Sequence, residues 1–326
     1  MAILRRKNIL QDEAHKLASE EPITARRLRK RNIVVLIPAY NEERFIGSMV
    51  LKLQSLPVTV VVVDDGSEDD TANLAERAGA IVVRQPENKG KAEALNAGFQ
   101  VVQQLNPEVV VTIDGDLQHY PEELPRLVQP ILENRADIVI GSRYLAKTSG
   151  VPRHRRLAHL FFRYFTNWIS GTSVSDTQSG YRAFSPQACR HLFHSKGFAV
   201  ESEMQFIARE HKLRILEVPV SVRYDDKPKR SVWQQGFDVL AGILKLTGQY
   251  RPLLFFGVPG VALLLGGMAL GIWVVERFRQ AKELPVGFAM LCVLLSTLGL
   301  IMLSTGFTLH SIRGLITDML KDLKRR

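Results

Sequence analysis

The stretch Val109-Val110-Val111-Thr112-Ile113-Asp114-Gly115-Asp116-Leu117-Gln118 decides how the chain is read. Its first five residues are apolar or β-branched with little alternation, the pattern of a strand buried on both faces. Asp114 and Asp116, two residues apart at its carboxyl end, are followed by the amide of Gln118. Together they form a compact set of hard oxygen donors, suited to Mg²⁺ or Mn²⁺ and to the phosphate oxygens such ions bring with them. An isolated Asp-x-Asp is equally compatible with a solvated turn. Position favours the metal, because open α/β sheets bind ligands beyond the carboxyl ends of their strands.

Working outward from this stretch, apolar runs at 33–37, 58–63, 80–83 and 138–140 alternate with amphipathic stretches at 43–54, 69–78, 91–104 and 121–133. That alternation predicts an α/β fold with a mostly parallel sheet covered on both faces. Three strand ends carry polar groups: Pro38-Ala39-Tyr40-Asn41-Glu42, Asp64-Asp65-Gly66-Ser67, and Asp114-Gly115-Asp116. In a parallel sheet these ends share one edge, so they are expected to converge on one ligand. Asp64-Asp65-Gly66-Ser67 also reads as a turn into a helix capped by Ser67 or Asp69. Asn88-Lys89-Gly90-Lys91 reads mainly as a turn and helix start, with phosphate binding by its amides and lysines as the second option.

The chain has 326 residues, 46% of them hydrophobic and 23% charged, ordinary values for folded protein with a sizeable core. A net charge of +10 points to a polyanionic partner, whether phosphorylated substrate or anionic membrane surface. No nucleic-acid recognition motif accompanies it. Two cysteines, Cys189 and Cys292, make no disulfide framework. Residues 1–31 are basic, and charge alone does not separate lipid contact from a solvated tail.

The motifs in this order and spacing resemble glycosyltransferase family 2, the inverting enzymes of A-type fold. Within it they resemble the polyprenyl-phosphate glycosyltransferases, such as the dolichyl-phosphate mannose synthases. The likeness runs from about Ile33 to Lys229 and also rests on Gly141-Ser142-Arg143 and Ser179-Gly180-Tyr181-Arg182. It implies that Pro38, Tyr40, Glu42, Val63 and Asp65 hold the nucleotide. It also implies that Asp114, Asp116 and Gln118 hold a metal and the diphosphate, with Gly115 standing where alanine is usual. Arg143, Arg223 and Lys229 would close on the donor phosphates, and Asp176 would lie near the reacting centre.

Arg153, Arg155 and Arg156 form a basic loop, and guanidinium groups bind phosphate through paired donors. Arg155 is therefore expected to orient an acceptor phosphate. Leu157, Leu160, Phe161, Tyr164, Phe165 and Trp168 then recur at helical spacing. Periodicity alone favours packing on the sheet, whereas flanking arginines and Trp168 fit a helix in the membrane interface, the reading taken here. Glu201 or Glu203 would face the site or simply favour the helix dipole. A second amphipathic helix is expected over 231–250.

Residues 253–275 and 285–309 carry no charge, and each is long enough to cross about 30 Å of hydrocarbon. They predict a two-helix transmembrane hairpin. Lys and Arg number six over 223–251, three over 276–284 and five after Leu309. The positive-inside tendency then places the catalytic domain (32–230) and the tail (311–326) on the cytoplasmic side. The expected activity is metal-dependent, inverting transfer of a sugar from a nucleotide-diphospho-sugar to a polyprenyl phosphate. Two rivals remain: a membrane transferase with a hydroxyl acceptor, and an inactive nucleotide-binding protein. Polymerising relatives usually carry Gln-x-x-Arg-Trp, which is absent. A homo-oligomer is left open.

Overall fold

The computed structural model describes residues 28–145, 163–164, 166–167, 170–192, 200–223, 248 and 251–325. Arg153, Arg155, Arg156, Lys229, the aromatic face of 157–168 and the amphipathic stretch 231–250 lie outside these residues, or almost wholly so. Contacts divide the chain into two units, Met1–Leu240 and Ala241–Arg326.

The first unit is an α/β sandwich. In chain order its elements are β1 (Ile33–Ala39), α1 (Ile46–Gln54), β2 (Thr59–Asp64), α2 (Thr71–Arg77), β3 (Ile81–Arg84), α3 (Lys91–Gln104) and β4 (Val109–Thr112). They continue with α4 (Leu124–Leu132), β5 (Ile138–Ser142), β6 (Arg182–Phe184), α5 (Pro186–Leu192), α6 (Val200–Glu210) and β7 (Ile215–Pro219). The strands form one sheet in the order β3-β2-β1-β4-β6-β5-β7. Six strands run the same way, and β6 alone is antiparallel to both its neighbours. Successive residues of the buried strands point to opposite layers. Val35, Ile37, Val62 and Val111 pack in one core, and Val34, Leu36, Val61, Val63 and Val110 in the other. This is why their runs show no hydrophobic alternation.

The expected parallel strands and helices are present, and β6 is an addition to that expectation. Its first residue, Arg182, ends the stretch 176–182, whose polar residues before a glycine read as loop. Arg182 sits level with Thr112 of β4 and Ile140 of β5, so the segment 176–181 enters the sheet at the edge where β4 and β5 end. At the helix after β2, Asp70 holds the N-cap position without a side-chain cap bond. Asp69 accepts the Thr71 N–H at 3.0 Å, whereas Ser67 Oγ accepts the Asn41 N–H at 2.9 Å and ties two loops together.

The second unit is a helical pair, α7 (Val258–Ala281) and α8 (Val286–Arg325), preceded by a π-helical turn at Leu253–Gly257. Pro259 lacks the N–H that would close an α-turn on Phe255, which accounts for the wider turn there. Leu253–Ala281 and Val286–Leu315 are each long and apolar enough to cross a membrane. Glycines let the two backbones meet. A Cβ on Gly299 would lie 2.8 Å from the Gly260 carbonyl oxygen, and one on Gly267 would lie 2.4 Å from Ser296 Oγ. The Cys292 thiol donates to the Gly267 carbonyl at 3.2 Å. Small residues at helix contacts are how helices associate where burial of apolar surface offers no driving force. At 40 residues α8 is about 60 Å long, twice the hydrocarbon thickness, and runs unbroken into the basic tail.

Candidate active site

The carboxyl ends of β1, β2, β4 and β5 line one edge, as the parallel topology requires. At the β4 end the chain turns sharply, with Leu117 at φ 56°, and Gln118 N–H donates to Asp116 Oδ1 at 3.1 Å. Asp114 Oδ1 pairs with Lys91 Nζ at 2.7 Å, and the same ammonium reaches Glu201 Oε1 at 2.7 Å. Lys91 opens α3 and Glu201 lies in the first turn of α6, so three elements meet through one cation. Burial pushes the Asp114 carboxyl up, but the Lys91 charge and hydrogen bond outweigh it, leaving the pKa below the usual range. Among the described residues no ion pair of this kind is formed by Asp116. Burial first, then the Asp114 charge and more weakly Glu42, push it up to about 6.

At the β5 end the half-buried Arg143 and the buried Asp176 form a bidentate pair, Nε to Oδ2 and Nη2 to Oδ1, both at 2.7 Å. The Arg143 backbone N–H adds a third bond to Oδ2 at 3.1 Å. Breaking a buried pair of this kind costs about 3–5 kcal/mol, because it strands the remaining charge. Between the two ends lies Gly180. A Cβ there would sit 2.4 Å from Asp114 Oδ2, and Thr112 Oγ1 holds the Gly180 carbonyl at 2.9 Å. Arg182, 1% exposed, donates to the carbonyls of Ser179, Thr177 and Glu201 at 2.8–3.0 Å. It thereby fastens the segment that carries Asp176 to the start of α6.

The β1 and β2 ends supply Pro38, Tyr40, Glu42 and Asp65. Pro38 lines a crevice with Asp114, Lys91, Gly180 and Arg182. Asp65 accepts the Lys89 and Gly90 N–H groups at 2.9 and 2.8 Å, which fixes the loop ahead of α3. The side chain of Val63 is fully buried in the core, so it offers no surface to a ligand. Gly115 has room: a Cβ there meets nothing nearer than 3.4 Å, so alanine would fit. Arg223 follows β7, and its N–H donates to the Gln118 carbonyl at 2.9 Å while its guanidinium lies over Tyr120, 5.5 Å from the ring centre.

The donor set fits a hard divalent cation. Burial and the Asp114 charge disfavour the ionised Asp116, so a cation placed there would be welcome, and Asp114 and Gln118 are its neighbours in the same turn. Among the described residues no three His, Cys, Asp or Glu side chains gather as a metal site. Further coordination positions would therefore fall to substrate or water oxygens, the habit of Mg²⁺.

Four residues at this edge escaped the sequence reading. Lys91 was weighed mainly as a helix start, and His119, Arg182 and Glu217 carried no role. His119 is buried 5.2 Å from the Tyr181 ring, and burial lowers its pKa to about 4, so it is neutral. Glu217 had a visible signal, an acid inside the apolar strand Ile215-Leu216-Glu217-Val218.

A mostly parallel sheet whose ligand edge bears an Asp-x-Asp pair and an Arg–Asp pair agrees with a glycosyltransferase of A-type fold, and the comparisons with known proteins show that class. The family model described as Glycosyl transferase family 2 matches residues 34–193. UDP-N-acetylglucosamine–dolichyl-phosphate N-acetylglucosaminyltransferase of Methanococcus voltae is 31% identical over 217 residues, covering 60% of this chain and 86% of that protein. Undecaprenyl-phosphate mannosyltransferase of Micrococcus luteus is 30% identical over 212 residues, covering 58% and 82%. Glucosyl-3-phosphoglycerate synthase from Mycobacterium tuberculosis, solved with Mn²⁺, uridine diphosphate and glucosyl-3-phosphoglycerate, matches with a TM-score of 0.58 at 25% identity, covering 70% of this chain and 86% of that one. The chain belongs to glycosyltransferase family 2.

Proposed function

We propose that the protein transfers a sugar from a nucleotide-diphospho-sugar to a polyprenyl phosphate at the cytosolic face of a membrane. The observation that carries this reading is the state of Asp176. A hydroxyl acceptor needs a base, yet both carboxylate oxygens of this candidate base are engaged by Arg143. A phosphate monoester needs none, because its second pKa near 6 leaves it largely dianionic at neutral pH. The relatives named for dolichyl and undecaprenyl phosphate, and two helices long enough to cross a membrane, agree with a lipid acceptor.

In this reading Pro38, Tyr40, Glu42 and Asp65 hold the nucleotide, and Asp114, Asp116 and Gln118 hold Mg²⁺ or Mn²⁺. The bound cation supplies neutralisation of charge on the leaving diphosphate. Arg143, Arg223 and Lys229 extend that stabilisation with their positive charge. An acceptor phosphate oxygen attacks the anomeric carbon as the bond to the diphosphate breaks. The nucleoside diphosphate leaves, and the centre inverts in one displacement. The test offers purified protein a panel of nucleotide sugars with polyprenyl phosphate and analyses the lipid fraction by mass spectrometry. A glycosyl polyprenyl phosphate is expected, and sugar appearing only on hydroxyl acceptors would overturn the reading.

Arg155 is assigned to the acceptor phosphate. Arg155→Ala should weaken acceptor use roughly ten- to a hundredfold, the worth of a charge-assisted contact, while slow hydrolysis of the donor by water persists. If hydrolysis and transfer fall together, Arg155 belongs to the donor site or the fold. The orientation follows from the distribution of Lys and Arg about the hairpin. A cysteine at Gln280 should label from the non-cytosolic side and one at Lys324 only from the cytosol. Labelling of both from one side would refute the hairpin's two crossings.

A further inference from the structure

We infer that Glu217 is a positioning residue for the transfer, acting through Ser175 and Asp176 on the Arg143 guanidinium. The inference rests on the function proposed above and concerns a residue that contacts neither donor nor acceptor in that reading.

Glu217 lies on β7, where β5 pairs alongside it, with Ile140 opposite. An acid in such a strand is costly unless its oxygens are matched by donors. Its donors come from one short segment. Ser175 N–H reaches Oε1 and Oε2 at 2.9 and 2.8 Å, Ser175 Oγ donates to Oε1 at 2.7 Å, and Asp176 N–H reaches Oε1 at 3.1 Å. Ser175 is thus gripped at both backbone and side chain, and Asp176 at its backbone. The Ser175 hydroxyl also lies 2.6 Å from Ser142 Oγ, and since it donates to Glu217 it accepts from Ser142. Ser142 immediately precedes Arg143. One carboxylate therefore fixes Asp176 directly and the root of Arg143 through a single hydroxyl bridge.

The orientation of Arg143 depends on this grip. Its guanidinium is held edge-on by both oxygens of Asp176. Rotation of Asp176 by a fraction of an ångström would re-aim the guanidinium, and displacements of about 1 Å at catalytic groups are enough to cost about a hundredfold. A purely structural role would need no more than an apolar residue at position 217 to complete the strand. The four hydrogen bonds to two consecutive residues of the acceptor-side segment are what such a role leaves unexplained. Burial pushes the Glu217 carboxyl up to about 7 against the pull of the Ser175 and Asp176 hydrogen bonds, with the nearby Asp176 charge adding to the rise.

The experiment compares Glu217→Gln, Asp176→Asn and the double variant, measuring kcat and KM for transfer, nucleoside diphosphate affinity by calorimetry, and Tm. Glutamine keeps the shape but turns an NH₂ group toward N–H donors. Glu217→Gln is expected to lower kcat about ten- to a hundredfold with nucleoside diphosphate affinity changed less than about threefold. Because it acts through Asp176, the double variant should be no slower than the slower single variant. Wild-type kcat in Glu217→Gln, or losses that multiply in the double variant, would overturn the inference. Should Glu217→Gln fail to fold, Ser175→Ala removes only the hydroxyl bridge. It should give a several-fold loss of kcat that is likewise absent on an Asp176→Asn background, and normal kcat would overturn the inference. If the wild-type protein transfers sugar to no polyprenyl phosphate, the function proposed above fails. The same cycle is then read on donor hydrolysis, where the Arg143 effect is retained.

Discussion

Asp116→Asn is expected to lower sugar transfer by roughly a thousandfold, about 4 kcal/mol of transition-state stabilisation, while the protein stays folded. The residue follows the carboxyl end of β4 and fills no core volume, and burial together with the Asp114 charge disfavours its ionised form. Its raised pKa makes a second expectation. The folded state holds the Asp116 proton more tightly than the unfolded chain does, so wild-type stability without metal falls as pH rises from the ordinary carboxylate range to about 6. Asparagine removes that slope, and the Tm of Asp116→Asn at neutral pH should equal or exceed the wild type's. Near-normal turnover of the variant in chelator-treated buffer would refute the metal assignment.

Gly180→Ala is expected to cost about a hundredfold in transfer for the addition of one methyl group. Its Cβ would stand 2.4 and 2.7 Å from the two Asp114 oxygens, and the carboxylate cannot retreat freely because Lys91 holds it at 2.7 Å. Overpacking of this kind costs about 1–3 kcal/mol in stability, so the variant should fold while Asp114 is displaced. Gly115→Ala is the matched control, since its added Cβ meets only ordinary contacts, and it should retain near-normal kinetics. Equal effects of the two substitutions would show that Gly180 is sensitive for a reason other than Asp114.

The parallel framework was legible because its strands are buried on both faces and its helices have clear periodicity. Val109 to Thr112 needs no structure to be read as a strand, and Asp114 and Asp116 follow from it. The site's cross-links were not legible, because they join residues distant in the chain. Lys91 and Asp114 are 23 positions apart, and Glu201 is 110 positions from Lys91. Local pattern gives Lys91 the look of a helix start, which it also is. β6 escaped because three residues carry no period, and because Arg182 seldom belongs inside a sheet. Its burial is satisfied by three carbonyls that only the folded chain brings near. Val63 is a motif position adjoining the site whose side chain serves the core, which leaves its backbone as the part that faces the strand end.

The single reversed strand has a consequence for dimensions. Neighbouring strands stand about 4.8 Å apart, so placing β6 between β4 and β5 holds their ends about 10 Å apart. The Asp-x-Asp pair and Arg143 are therefore spaced by a fixed count of backbones, not by the reach of flexible side chains. That interval acts as a built-in gauge, wide enough for a diphosphate group between the two charge centres. Because the gauge is the sheet itself, substitutions in the surrounding loops can retune which substrates are accepted while this spacing stays the same.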